Sequence, residues 1–574
     1  MRKTLIAAAI IAAGVAGYYA INKSSTPSSI SLSELDYVPA DTALFSGQFT
    51  PLDLVAYLKS LGMSAEQLNN AEMQQAMTEL AAEASPAVRF GLALFQDYIT
   101  TLSNPDDFVK NTGIASKTRS LSYLVGAAPV LRFEVTDAAA FQAFFERAAT
   151  QSGVETQTKQ LAGHTYQAYS LNELLDGLEL LVSVDRGWGT VALHSNKLPE
   201  THRAHALAQQ KPAKNLGNTS KLADMSQKYQ LKQDGLGFLS TEQLGLAFTT
   251  TDGNQLAQDL QLTFTAGLPE ALQVWHTPAC QTDVAMLTKT WPGLVMDAEI
   301  KQQNAAGIVL SSKMIIPTES KVALDGLQKL QGFIPKSLNG ALHPSMFYLG
   351  LGTEISQITP AISILWAGMT ELSLTCEPLV ALQQQMKEQN PMMMLAMAGM
   401  AANGLQGMSV TINGFSMDMA TGQPTAADAL VTLSADNPQA LFTNAQAMLP
   451  PLAGITLPAA GDEMSVSEIF PPIAALGLDV RLQASDNHLL LYVGDKAKAQ
   501  AATIATEKLN KNGILSFGMD YKQFFGAMSA MISASGQPMP PELESMMNTD
   551  MQLGMSFGVD SHGVVLTTEM KVSE

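Results

Sequence analysis

GLELLVSVDRGWGTVALH, residues 177–194, and GLDVRLQASDNHLLLYVG, residues 477–494, align without a gap at an offset of 300. Gly177 and Gly477 lead, then Leu178 and Leu478, then the acids Glu179 and Asp479. Each block is an apolar run, a turn, and a second run rich in branched residues. Asp185-Arg186-Gly187 supplies one turn and Ser485-Asp486-Asn487 the other. Gly and Asn tolerate the positive φ of tight hairpins, so both blocks read as β-hairpins.

The same kind of helix precedes each hairpin. In TDAAAFQAFFERAA, Asp137 can cap and Phe141, Phe144, Phe145 and Ala148 share a face; in ADNPQALFTNAQAML, Asn437 can cap and Pro438 takes the first helical position. Strand-like runs stand before both helices, VLRFEV at 130–135 and ALVTL at 429–433. Polar, Ala-rich segments that read as helices follow both hairpins, at 197–210 and 496–510. Farther out, 43–62 and 346–369 each read as a strand and then a helix, with Thr50-Pro51 and Thr359-Pro360 at the helix starts. GIVLSSKMII (307–316) and GVVLTTEMKV (563–572) close the two series. The expected fold class is α+β, as two tandem pseudo-repeats over 35–325 and 340–574. Antiparallel sheets are expected to carry helices packed on one face.

At 574 residues the chain exceeds one ordinary core. Hydrophobic residues make up 46% and charged residues only 15%, with a net charge of −19. Such a balance opposes the cationic footprint that nucleic acid requires, so no nucleic-acid partner is expected. Residues 1–21 begin with Arg2 and Lys3 and continue as an uncharged, mostly apolar run from Leu5 to Ile21. That pattern predicts a signal anchor or transmembrane segment, with cleavage after Ala16 as the lesser option. Tyr18 and Tyr19 suit the outer membrane–water interface, and the positive-inside rule then places everything after Asn22 in the periplasm. Residues 22–34 are Ser-rich and read as a tether. Cys280 and Cys376 could pair in an oxidising compartment or stand as two buried thiols.

LDYVPADTALFSG, residues 35–47, opens its first strand on Pro39-Ala40-Asp41-Thr42. This phrase resembles the start of membrane-anchored bacterial envelope proteins grouped as a domain of unknown function. The resemblance covers about a dozen residues. It implies an envelope location and no activity, and it carries over no functional residues.

Chemistry-bearing motifs are sparse. LGLGTE at 349–354 lacks the third glycine of a dinucleotide loop, and DSHG at 560–563 reads as a hairpin turn. His202 and His205 stand at i, i+3 on a helix without a third ligand and read as solvated surface. His164 reads as a polar strand edge, and Trp188 as packing on its own hairpin. PMMMLAMAGM at 391–400 puts Met393, Met397 and Met400 on one helical face, read as core filler or an apolar-ligand face. The expectation is a non-enzymatic protein without cofactor or metal, anchored in the inner membrane and facing the periplasm. It would bind an unknown envelope protein or support envelope assembly; the alternative is a lipid carrier or holdase using the Met-rich helices.

Overall fold

The structure is a computed structural model that describes residues 32–60, 71–82, 84–263, 270–304, 307–340, 342–389, 404–417, 424–448, 452, 454–466, 471–474, 477–534 and 550–573. The fold is mixed α+β, and the nineteen described strands pair into antiparallel sheet. Two compact units divide the chain: the first runs to Ser312 and includes Thr375–Pro378, and the second holds Lys313–Leu374 and Leu379–Ser573.

The strands of the first unit are β1 (Leu44–Asp53), β2 (Lys117–Val125), β3 (Ala128–Glu134), β4 (Thr156–Leu161), β5 (His164–Ser170), β6 (Leu178–Asp185), β7 (Trp188–Ser195), β8 (Gly235–Ser240) and β9 (Gly293–Asn304). Strand β10 (Gly307–Pro317) runs across the division. Pairing gives the order β4-β5-β6-β7-β3-β2-β1-β8-β9-β10. The β6–β7 turn lies at Arg186 and Gly187, with φ of 50° and 77°, the left-handed pair that a two-residue hairpin demands.

Helix Ala138–Ser152 starts on Asp137, which accepts from Ala140 N at 2.9 Å, and stops at Gly153. Phe141 and Phe145 from that helix, Phe90 from helix Pro86–Leu102, and Tyr169 and Val182 from the sheet form one apolar core. Phe90 and Tyr169 stack at 5.0 Å. Each such side chain contributes about 1.5–3 kcal/mol by burial. Helix Glu200–Ala206 packs on the opposite face, against β2, β3 and β7. Helices therefore cover both faces here, not one, because Val182 and Leu181, adjacent in β6, are both fully buried on opposite sides.

The second unit adds β11 (Phe347–Leu351), β12 (Leu405–Met417), β13 (Pro424–Ala435), β14 (Glu463–Ser465), β15 (Arg481–Ala484), β16 (His488–Val493), β17 (Leu515–Asp520), β18 (Met551–Val559) and β19 (Gly563–Val572). Their order is β14-β15-β16-β13-β12-β11-β17-β18-β19. Helix Asp495–Ile504 covers one face through Leu430, Leu490 and Tyr492. Phe442, from helix Pro438–Met448, packs with Leu433, Leu482 and Leu489 on the other. Asp560–His562 form the β18–β19 turn, where Asp560 Oδ1 accepts from His562 N at 2.7 Å.

Three expectations are corrected. Among the described residues no helix is long and apolar enough to cross a membrane. The longest with a described start and end, Pro86–Leu102, has 17 residues and carries Arg89 and Asp97, against about 20 apolar residues for a span. The transmembrane and signal-anchor assignment therefore finds no support, and residues 1–21 lie outside the described residues. Neither Thr-Pro pair starts its helix. Pro51 sits in β1, in the irregularity between Gln48 and Leu52, while Asp53 caps the following helix through Ala56 N at 3.1 Å. Pro360 lies inside helix Ile355–Thr370.

Candidate functional site

Strand alternation places Trp188, Thr190, Ala192 and His194 of β7 on the face under helix Glu200–Ala206, with Arg132 of β3 opposite Thr190. This face is polar yet buried. Arg132 is 1% exposed. Its Nη2 lies 2.5 Å from Glu34 Oε2, and its Nε donates to Thr190 Oγ1 at 3.3 Å. The guanidinium sits 5.3 Å from the Tyr37 ring centre and 5.2 Å from that of Trp188. Arg186 lies over the Tyr37 ring at 4.6 Å, donates to the Tyr37 hydroxyl, and donates to Ala208 O at 3.0 Å. Cations and aromatic rings thus hold the segment Ser33–Tyr37 onto the sheet. Burial pushes the Tyr123 phenol up to about 12, with Arg132 pulling the other way.

A second buried group adjoins the same helix. His202 Nδ1 and His194 Nε2 are 3.2 Å apart, and His202 Nε2 lies 2.6 Å from Asp259 Oδ2. Asp259 also accepts from Ala127 N at 2.8 Å and from Gln255 Nε2 at 2.7 Å. Ala127 belongs to the β2–β3 turn, and the carboxylate crowds that turn so closely that a Cβ on Gly126 would meet Oδ2 at 1.8 Å. Burial, then His202 and Arg203, push His194 down to about 3. Its ring is neutral at ordinary pH, so one imidazole of the pair donates across the 3.2 Å contact and the other accepts. The solvated-surface reading of His202 is corrected: it is 4% exposed. A local signal existed, because Ala206, four residues on, shares its face and is fully buried. Asp259 had no local signal.

Cys280 and Cys376 form a disulfide with Cα atoms 4.4 Å apart, and both residues are fully buried. Cys280 lies in the first turn of helix Pro278–Thr290, capped by Thr277. Asp283 Oδ2 accepts from Thr375 N at 2.5 Å and from Cys376 N at 2.7 Å. Burial alone would raise the Asp283 carboxyl, but these backbone donors outweigh it and hold the group below the usual range. Two independent fasteners, one covalent and one electrostatic, therefore fix Thr375–Cys376.

Trp188 is buried under Arg132, and His164 is an exposed residue of β5 lying 3.6 Å from Asp185. Met393, Met397 and Met400 lie outside the described residues. Among the described residues no group of three or more His, Cys, Asp or Glu side chains is placed to hold a metal ion. A shallow pocket of about 170 Å³ in the second unit is lined by Gln331, Asn339, Asn512 and the β18–β19 hairpin. Its amides are engaged: Gln331 accepts from Val559 N at 2.8 Å, and Asn512 accepts from Ile334 N at 2.8 Å.

Comparison of the chain with family models, with curated proteins and with solved structures returns no match.

Proposed function

We propose that this chain is a binding protein of an oxidising compartment outside the cytoplasm, that it acts on a protein partner without catalysis, and that its two units are copies of one plan. The carrying observation is the buried Cys280–Cys376 disulfide, a bond that persists where thiols are not kept reduced. The sealed state of the chemically rich face supports the non-catalytic part. Arg132, His194, His202 and Asp259 are each at most 4% exposed, with Arg132 held by Glu34, His202 by Asp259, and His194 by His202.

Strand order supports the repeat. The first unit reads β5-β6-β7-β3-β2-β1-β8-β9-β10 and the second β14-β15-β16-β13-β12-β11-β17-β18-β19, the same plan with β4 as an extra edge strand. Register agrees at the offset of 300: Leu181 pairs with Ala192 as Arg481 does with Tyr492, and Glu134 with Trp188 as Ser434 does with His488. Asn437 caps its helix through Ala440 N at 3.0 Å, as Asp137 does through Ala140 N.

The test is in vivo crosslinking of the full chain followed by recovery under denaturing conditions. A specific crosslinked protein partner is expected, with Cys280 and Cys376 recovered as a disulfide. Recovery of nothing above background, or of two free thiols, overturns the reading. One observation favours a lipid-carrier alternative: Ile358, Ile362, Leu365 and Met369 form a stripe on helix Ile355–Thr370 that is not fully buried. Delipidated protein that fails to bind a fluorescent fatty acid removes that alternative.

A further inference from the structure

Among the described residues the first unit ends on an unguarded strand. Among the described strands β4 pairs with β5 alone, in a register unbroken over six pairs from Thr156↔Tyr169 to Leu161↔His164. Ala162 and Gly163 form the turn at φ of 49° and 84°. That two-residue turn makes Leu161 and His164 a hydrogen-bonded closing pair. At the other end Ser170 N donates to Glu155 O at 2.9 Å. Antiparallel alternation between these ends turns the main chain of Glu155, Gln157, Lys159 and Leu161 toward β5. The N–H and C=O groups of Thr156, Thr158 and Gln160 then face outward.

Edge strands are usually blunted by shortness, proline, a bulge or free charge. The second unit does this: β14 has three residues and begins on Glu463. Strand β4 has six residues, no proline and no bulge. Its single charge is spent, because Lys159 Nζ lies 2.6 Å from Glu179 Oε1. Thr156, Gln157, Thr158 and Gln160 are exposed, so the edge is open from both faces.

We propose that β4 is the pairing edge for a second copy of this chain, joined antiparallel across a two-fold axis at Thr158. The strand is self-complementary in that register. Thr158 meets Thr158 and Thr156 meets Gln160, each as a narrow pair that exchanges both main-chain bonds, about six bonds in all. On the other face Gln157 meets Lys159, so no like charges stand opposite. The result is an isologous dimer whose sheet runs on from copy to copy.

Sedimentation of the full chain through the micromolar range tests this. The wild type is expected to dimerise, more strongly at high salt because each copy carries a net charge of −19. Thr158→Pro removes an outward N–H that the β5 ladder does not use, and weakens the dimer on the order of a hundredfold. Thr158→Lys, which sets two cations face to face, does the same, and circular dichroism of both variants matches the wild type. In a third variant, Thr158→Cys crosslinks on mild oxidation, since the Cα spacing of a narrow pair suits a disulfide. The native cysteines are already paired and do not compete. A wild type that stays monomeric overturns the proposal, including one whose edge is filled by a different peptide. A dimer indifferent to both Thr158→Pro and Thr158→Lys overturns it equally.

Discussion

Two sheet faces in this chain do the same job with different materials: the first holds a buried ion pair, Arg132 with Glu34, where the second has Thr432. Under helix Glu200–Ala206 the first unit buries Arg132, Thr190, Ser183 and His194. Under helix Asp495–Ile504 the second unit buries Leu430, Leu490 and Tyr492, with Thr432, Ser434 and His488 on the same face and Ser434 bonded to His488 at 2.9 Å. On the repeat reading, Arg132 corresponds to Thr432 and Thr190 to Leu490. The contrast separates two routes to a closed interior. Apolar contact needs only shape, and its loss scales with the volume removed. A buried charge needs a named partner, and losing one partner costs more than never having had the pair. The first unit should therefore be brittle toward single changes and tolerant of paired ones.

Glu34→Ala should have the largest effect, about 3–5 kcal/mol, because it leaves the Arg132 guanidinium alone at 1% exposure. Joint replacement, Glu34→Leu with Arg132→Leu, should recover most of that loss because it leaves no unpaired buried charge on this face. Urea unfolding followed by tryptophan fluorescence measures both, with Trp188 against Arg132 as a local reporter. A double variant no more stable than Glu34→Ala would break the comparison. Leu490→Ala should cost the second unit about 3 kcal/mol, with no paired change needed to explain it.

Acid sharpens the contrast further. His194 sits near 3 in the fold, against about 6.5 in an unfolded chain. Its neutral form is favoured by folding, so its contribution is complete above 6.5 and drains away as pH falls toward 3. The unfolded state binds the extra proton in that window, and stability there should fall by up to about 1.4 kcal/mol per pH unit. Carboxylates also titrate in this range, so the measurement is the difference between the wild type and His194→Gln. A difference that stays flat from pH 6.5 to 4 would remove His194 from the account.

What the sequence disclosed follows the range of each interaction. Both hairpins and the helices before them were legible because turn chemistry, alternation and capping are settled within a few residues. Asp137 and Asn437 occupy the cap positions assigned to them. The Thr-Pro pairs misled because proline at a bulge, as at Pro51, carries the same local signature as proline at a helix start. The buried face was illegible because its partners are remote: Arg132 needs Glu34, and His202 needs Asp259. Two cysteines announced an opportunity for pairing, and only the fold brought helix Pro278–Thr290 beside Thr375–Pro378.

The smallest effect tests where the two units agree. Asp137 Oδ1 accepts from Ala140 N at 2.9 Å, and Asn437 Oδ1 accepts from Ala440 N at 3.0 Å. Both caps begin the helix that lies on the apolar face of its sheet, away from the polar–apolar contrast. Asp137→Ala and Asn437→Ala should each cost about 1 kcal/mol, the usual worth of an N-cap. The charged cap differs in one respect: its carboxylate also favours the helix dipole, an increment of a few tenths of a kcal/mol that salt screens. Raising the salt concentration should therefore shrink the Asp137→Ala penalty and leave that of Asn437→Ala unchanged. Penalties that differ by more than 1 kcal/mol at high salt would mean that the two helices are not held alike. The difference between the units would then reach both sides of the sheet.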